Sequence, residues 1–189
     1  MIKEIIDKSR SHREFRAGAS VPREKLEAWI LNASHSPAAM NLQTLKYKIA
    51  NEKSEVDALL PLTRWASSLS VKRPPEGRGP TAFIVICHDE SIAPMKPIFS
   101  IDVGICAQSI MLSAAEDGFG GCIIGSASPD AVARTLELDE GLTPVLILAL
   151  GVPEDEVVLT VAEESVTYYR DENNVHYVPK RPLDEIIIK

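Results

Sequence analysis

Aromatic side chains make up only 5% of the 189 residues, and cysteine is rarer still, with three in the whole chain. Cys87, Cys106 and Cys122 are odd in number, unclustered and set in apolar runs. They exclude a disulfide framework and are expected as reduced core thiols of a cytoplasmic protein. The longest apolar run, residues 145–152, falls far short of the roughly 20 residues that span a bilayer. The opening MIKEIIDKSR is charged every few residues and lacks the apolar stretch of a secretory signal. His12, His35, His88 and His176 are scattered, and there is no Cys-x-x-Cys or His-x-x-x-His pair, so no metal is expected. Ser126 follows Gly125 but lacks the second glycine of a nucleophile elbow. Extracellular, fibrous and membrane-spanning classes are thereby out, and hydrolytic, zinc and thiol chemistry have no residue set to run on.

What is present is an apolar fraction of 45% with 25% charged residues, enough for one domain spanning residues 1–189. A chain of this size buries about 70% of its unfolded surface without staples. The net charge of −7 argues against nucleic acid as a partner. That total hides an asymmetry, because residues 1–80 hold 14 Lys and Arg against 9 Asp and Glu, while the remainder is strongly acidic. Lys3, Lys8, Arg10, Arg13 and Arg16 fall close together. They read either as a solvated helix face or as a site for a small anion.

The pattern predicts helices over about residues 2–10, from Pro22 to Ser36, over 52–60, over 99–117 and over 129–137. The 99–117 segment is apolar nearly all round, which predicts a core helix covered on every side, capped by a left-handed Gly118. Residues 45–49 alternate as a half-buried strand, whereas 82–87 and 145–150 read as strands buried on two faces. Residues 70–80 form a loop rich in Pro and Gly, a possible lid. YYRDENNVHYVP reads as two short strands around a turn. Helices and strands interleave irregularly, so the fold class is α+β around one sheet.

The glycines Gly118, Gly120, Gly121 and Gly125 fail as a dinucleotide fingerprint, since Ile123 stands where the third glycine belongs and a helix, not a strand, precedes them. They predict a close backbone approach to something flat or large. Two segments remain. SRSHREF, residues 9–15, offers Arg forks and a hydroxyl to a phosphate. SPAAMNLQ, residues 36–43, offers small residues and amide edges to a planar heterocycle. Together they describe a nucleotide-like cofactor.

Those blocks resemble the nitroreductase family of FMN-dependent oxidoreductases. Arg10, Ser11, Arg13 and Phe15 follow the family's opening pattern. Ser36, Pro37, Ala38, Ala39, Met40, Asn41, Leu42 and Gln43 follow its second block, with Ala38 in place of a usual Ser and Thr44-Leu45 in place of Pro-Trp. Asp102, Gly104, Gln108, Ala114, Ala115, Gly118, Gly120 and Gly125 follow its third, and Lys180 and Arg181 stand as its terminal basic pair.

The resemblance implies a nitroreductase-like fold, a central mixed or antiparallel sheet surrounded by helices, in an interlocked homodimer with FMN at the subunit interface. It implies that Arg10, Ser11, Lys180 and Arg181 hold the FMN phosphate and that Arg13 lies near the N1/O2 edge of the flavin. Ala38, Met40 and Asn41 would approach the ring from the partner subunit, Gln43 would be a further cofactor contact, and Ile124 and Gly125 would present N–H groups near N5. Residues 165–189 would extend towards the partner, and Arg64 and Trp65 would cover the site unless Trp65 is plain core. NADH or NADPH is the implied reductant and a nitroaromatic or quinone the implied acceptor, with no side chain acting as a catalytic acid or base. Reductive dehalogenation, dehydrogenation, or flavin storage and sensing without turnover stay open as alternatives. Apart from the family, so does a docking role for the basic N-terminus.

Overall fold

The computed structural model describes residues 1–66 and 73–188. Its centre is a four-stranded antiparallel sheet formed by β1 (Leu45–Ala50), β2 (Ala82–Asp89), β3 (Gly120–Ile124) and β4 (Leu142–Gly151), in the order β1-β2-β4-β3. β2 and β4 are central, which is why both read as near-continuous apolar runs. Alternation sends Ala82, Ile84 and Ile86 to one face and Phe83, Val85 and Cys87 to the other, and both sets are buried.

Helices α1 (Ile2–Lys8), α2 (Arg23–Ser34) and α4 (Phe99–Glu116) precede or flank this sheet, and α3 (Lys53–Leu59) and α5 (Pro129–Thr135) are short. The α2 helix buries Leu26, Trp29 and Ala33, spaced to form one stripe, into a cluster with Val103, Ala107 and Ile110 of α4. Trp29 Nε1 donates to Asp117 Oδ2 at 2.7 Å. The α4 helix ends as its sequence implies. Gly118 takes φ +81°, the Phe119 N–H reaches Ala114 O at 2.8 Å and the Gly118 N–H reaches Ala115 O, which together make a Schellman cap.

Two expectations need correction. The α4 helix is not covered on every side, because Ile101, Gly104 and Gln108 share an exposed face among the described residues. Nor is there one sheet. β5 (Val157–Val161), β6 (Tyr169–Arg170) and β7 (His176–Lys180) form a second, in the order β5-β7-β6, with β5 parallel and β6 antiparallel to β7. The Asp171–Asn174 turn closes the β6–β7 hairpin through Asp171 Oδ1, which accepts from the N–H groups of Asn173 and Val175. A last short helix, α6 (Leu183–Ile186), leads to exposed Ile187 and Ile188.

Segment 9–16 joins the two sheets. Ser11 bridges Gly121, Phe15 bridges Pro153, and Arg16 N–H donates to Val152 O at 2.9 Å. Residues 70–72 of the predicted lid loop lie outside the described residues. Its described part begins at Arg73, whose guanidinium bonds Glu14.

Candidate functional site

The 9–13 segment runs beside β3 with its backbone fixed by bonds to that strand. His12 N–H donates to Gly121 O at 2.8 Å. Gly121 is required there, since a Cβ would stand 1.9 Å from Ala149 O. The close approach predicted for the glycines is therefore made by the protein's own strands rather than by a ligand.

Between this segment, α4 and the second sheet lies a cleft of about 260 Å³. Arg10, Ser11, Arg13 and Lys180 line it, joined by Tyr168, just before β6, and by His176 of β7. Of the predicted phosphate ligands, Arg10 and Ser11 from the N-terminal block and Lys180 from the far end thus converge, and Arg13, predicted for the N1/O2 edge of the flavin, lines the same cleft. Among the described residues, no carboxylate forms a salt bridge with Arg10, Arg13 or Lys180. Arg10 Nε and Arg13 Nε are buried without hydrogen-bond partners. Two buried, unpartnered N–H donors on cations that line a cleft also holding a hydroxyl and an ammonium fit the chemistry of a phosphate.

Arg181 does not join them. Arg181 follows the end of β7 and pairs with Glu185 at 3.1 Å beside Glu163 and Glu164. Ala38 and Gln43 line a separate depression of about 200 Å³ with Asp102 and Tyr47, while Met40 and Asn41 are exposed. Met40, Asn41 and Gln43 all take left-handed φ near +53°. Asp102 holds that loop by accepting the Ala39 N–H at 3.0 Å. Ile124 and Gly125 line a third, smaller depression against α5, with Ile124 buried and Gly125 exposed. Trp65 packs edge-on to Phe15, donates Nε1 to Thr63 Oγ1 at 2.7 Å and lies partly buried against the core; Arg64 is exposed, and its carbonyl accepts from Ser126.

Behind the cleft stands a buried ionic network that sequence reasoning missed. Glu14 accepts from Arg73, from Arg170 at 3.2 Å and from Asn174 at 3.0 Å, with Arg78 at 3.5 Å. Asp155 accepts from His12 Nδ1 at 2.8 Å, from the Arg13 N–H at 3.0 Å and from Arg170 at 3.0 Å. Burial alone would raise the Asp155 pKa, but His12, the Arg13 N–H and Arg170 together hold it below the usual carboxylate range. Burial lowers the Arg73 pKa, and neighbouring Arg170 adds to the effect while Glu14 opposes it.

Arg13 itself is clamped by the hairpin. Its Cζ lies 5.3 Å from the Tyr168 ring centroid, and its Nη1 is 3.1 Å from His176 Nε2. Burial, then Arg13 and Arg170, push the His176 pKa down to about 4. The one sequence signal for this arrangement was Glu14, an acid amid five clustered cations.

An antiparallel α+β sheet carrying a preformed cationic cleft at the junction of two sheets defines the class of protein. The chain belongs to the nitroreductase family, whose profile matches residues 6–152. Solved structures agree on the fold. The chain is similar to a nitroreductase family protein from Streptococcus pneumoniae TIGR4, at 17% identity and TM-score 0.71, with 100% of each chain covered. A nitroreductase family protein from Clostridium novyi NT is 25% identical, with TM-score 0.67, 82% of this chain and 86% of that one covered. An FMN-dependent nitroreductase from Clostridium difficile R20291 is 21% identical, with TM-score 0.65, 80% of this chain and 87% of that one covered. Among the described residues, no helix is long and apolar enough to cross a membrane, and no group of three His, Cys, Asp or Glu could hold a metal ion.

Proposed function

We propose that the protein is a cytoplasmic, homodimeric FMN-dependent oxidoreductase that takes hydride from NADH or NADPH and reduces an electron-poor acceptor such as a nitroaromatic or a quinone. The observation that carries this reading is the convergence of Arg10, Ser11, Arg13 and Lys180 on one cleft, with two buried guanidinium N–H donors left unpartnered. FMN, the cofactor named for the C. difficile relative, supplies the redox chemistry when bound, accepting hydride and releasing electrons to the acceptor.

The chain's own residues bind and orient. Arg10 and Lys180 offer charge to a phosphate and Ser11 offers a hydroxyl, and Arg13, expected from the resemblance at the N1/O2 edge of the flavin, lines the same small cleft and adds its charge there. Charge-assisted hydrogen bonds of about 1.5–3 kcal/mol each make such a group a strong anchor. The cleft is below the roughly 300–1,000 Å³ of a site that encloses a drug-sized ligand, so it suits the phosphate end, and further walls are needed for a flavin ring. The partner's copy of the loop carrying Ala38, Met40, Asn41 and Gln43 would supply them, with Ile124 and Gly125 at the ring's other edge. The bare faces fit such pairing: Ile98 and Ile101 beside α4, Met40 on the loop, and Leu183, Ile186 and Ile188 at the C-terminus are all exposed. Arg181, held by Glu185 beyond the end of β7, stands outside the proposal.

Titration of the purified apoprotein with FMN tests this reading. The expected result is a yellow complex that NADH or NADPH bleaches in a stopped-flow experiment, with FMN affinity falling at least tenfold in an Arg10→Met/Lys180→Met variant. No bound flavin, or unchanged affinity in that variant, would overturn it. Light scattering on the complex is expected to give a dimer mass.

A further inference from the structure

We propose that His176, delivered by the β6–β7 hairpin, is a positioning residue that aims the Arg13 guanidinium into the anion cleft. This rests on the phosphate-binding reading above and adds to it a residue beyond residues 6–152, where the family profile matches.

The geometry leaves His176 one role. Arg13 Nη1 lies 3.1 Å from His176 Nε2. A guanidinium has donors and no acceptor, so Nε2 must carry the lone pair, and the ring is neutral with its proton on Nδ1. Tyr168 completes the holder, its ring under the Arg13 Cζ and edge-on to His176 at 5.2 Å. His176 is 1% exposed, so little solvent reaches its side of the Arg13 guanidinium. The hairpin is itself anchored, since Arg170 bonds both Glu14 and Asp155 and Asn174 bonds Glu14. An arginine held this way keeps few rotamers, and little side-chain entropy is left to lose when an anion binds. His176 touches no reacting atom in this scheme and acts only through Arg13.

The test compares FMN with riboflavin, which lacks the phosphate, on purified apoprotein. His176→Met removes the acceptor. His176→Gln keeps an amide oxygen near the Nε2 position. The expected result is a loss of roughly tenfold in FMN affinity for H176M, no change for riboflavin, and recovery in H176Q. Equal losses for both flavins would show a merely structural role and overturn the proposal, as would an H176M variant that binds FMN like the wild type. Failure of the phosphate reading is seen separately, as equal FMN affinity in wild type and in the Arg10→Met/Lys180→Met variant. Should H176M not fold, the imidazole ¹⁵N shifts of the wild-type apoprotein at neutral pH decide. A protonated Nδ1 with bare Nε2 is expected, and the opposite tautomer or an imidazolium sinks the proposal.

Discussion

The two sheets are held together by opposite means. In the central sheet, β2 and β4 bury Ile84, Ile86, Leu148 and Leu150 against α2 and α4 with apolar contact alone. In the smaller sheet, a lattice of ions fastens the β6–β7 hairpin to segment 9–16: Glu14 and Asp155 against Arg73 and Arg170, every side chain less than 10% exposed. Apolar burial tolerates local repacking because it has no direction. A buried ion lattice does not, because each partner removed leaves a charge unpaired. A hairpin pinned by directional bonds is the better device for placing a side chain such as Arg13 or Lys180 at a fixed angle over a cleft.

Truncating one member of each region tests that contrast. Glu14→Ala leaves Arg73 and Arg170 facing each other and is expected to cost about 3–5 kcal/mol. Leu148→Ala in the apolar sheet leaves a cavity and is expected to cost about 2–5 kcal/mol. Denaturant unfolding measures both, and the discriminating variant is Glu14→Gln. Shape is kept there and charge lost, so if packing rather than charge holds the hairpin, E14Q will unfold like the wild type. Gly121→Ala follows in size, at roughly 1–3 kcal/mol from overpacking, because its Cβ meets backbone that no rotamer change can clear. Gly125→Ala, with its nearest neighbour 3.9 Å away, is expected to be silent in the same measurement.

The contrast also decides what could be read from the residues. Burial on two faces leaves a plain mark, so β2, β4 and the 99–117 helix were legible from apolar runs, and Gly118 marked the helix end. The cleft was half legible, since Arg10, Ser11, Arg13 and Lys180 sit in recognisable blocks. The ionic lattice was not. His12 and His176 looked scattered because they are 164 positions apart, and their shared neighbours, Arg13 and Asp155, come together only through the fold. The second sheet was missed for a related reason, as β5 pairs in parallel with β7 across an intervening strand, and a single short alternating segment does not announce its partner. Arg181 was grouped with Lys180 because adjacency in sequence suggests a shared role, whereas Lys180, the last residue of β7, lines the cleft and Arg181 beyond it pairs with Glu185.

Acid should separate the two sheets next. In the folded chain His176 titrates at about 4 rather than 6.5, so between those values the unfolded state binds more protons. Stability is therefore lost as pH falls from about 6.5 to about 4, and His176 contributes nothing further below that. Asp155, whose pKa is depressed, adds a second loss as pH drops through the carboxylate range. Thermal melts across this window are expected to show a decline of a few degrees per lost kcal/mol that flattens in H176Q. An unchanged slope in that variant would place the acid sensitivity elsewhere.

The smallest expected effect is the most exacting. Arg181 and Lys180 are neighbours of like charge on β7 and the residue after it, yet only Lys180 lines the cleft. Arg181 is more than half exposed and paired with Glu185 in an i, i+4 contact, a kind of bond that is usually worth about 0.3–0.5 kcal/mol. Arg181→Ala is accordingly expected to move the melting temperature by about a degree and FMN affinity by less than twofold, whereas Lys180→Ala weakens FMN by roughly tenfold. Isothermal titration of the two variants side by side reads the difference. If Arg181→Ala proves the more damaging, the strand end must turn over when the cofactor binds, and the division of the hairpin into a cleft side and an outer side would hold only for the empty protein.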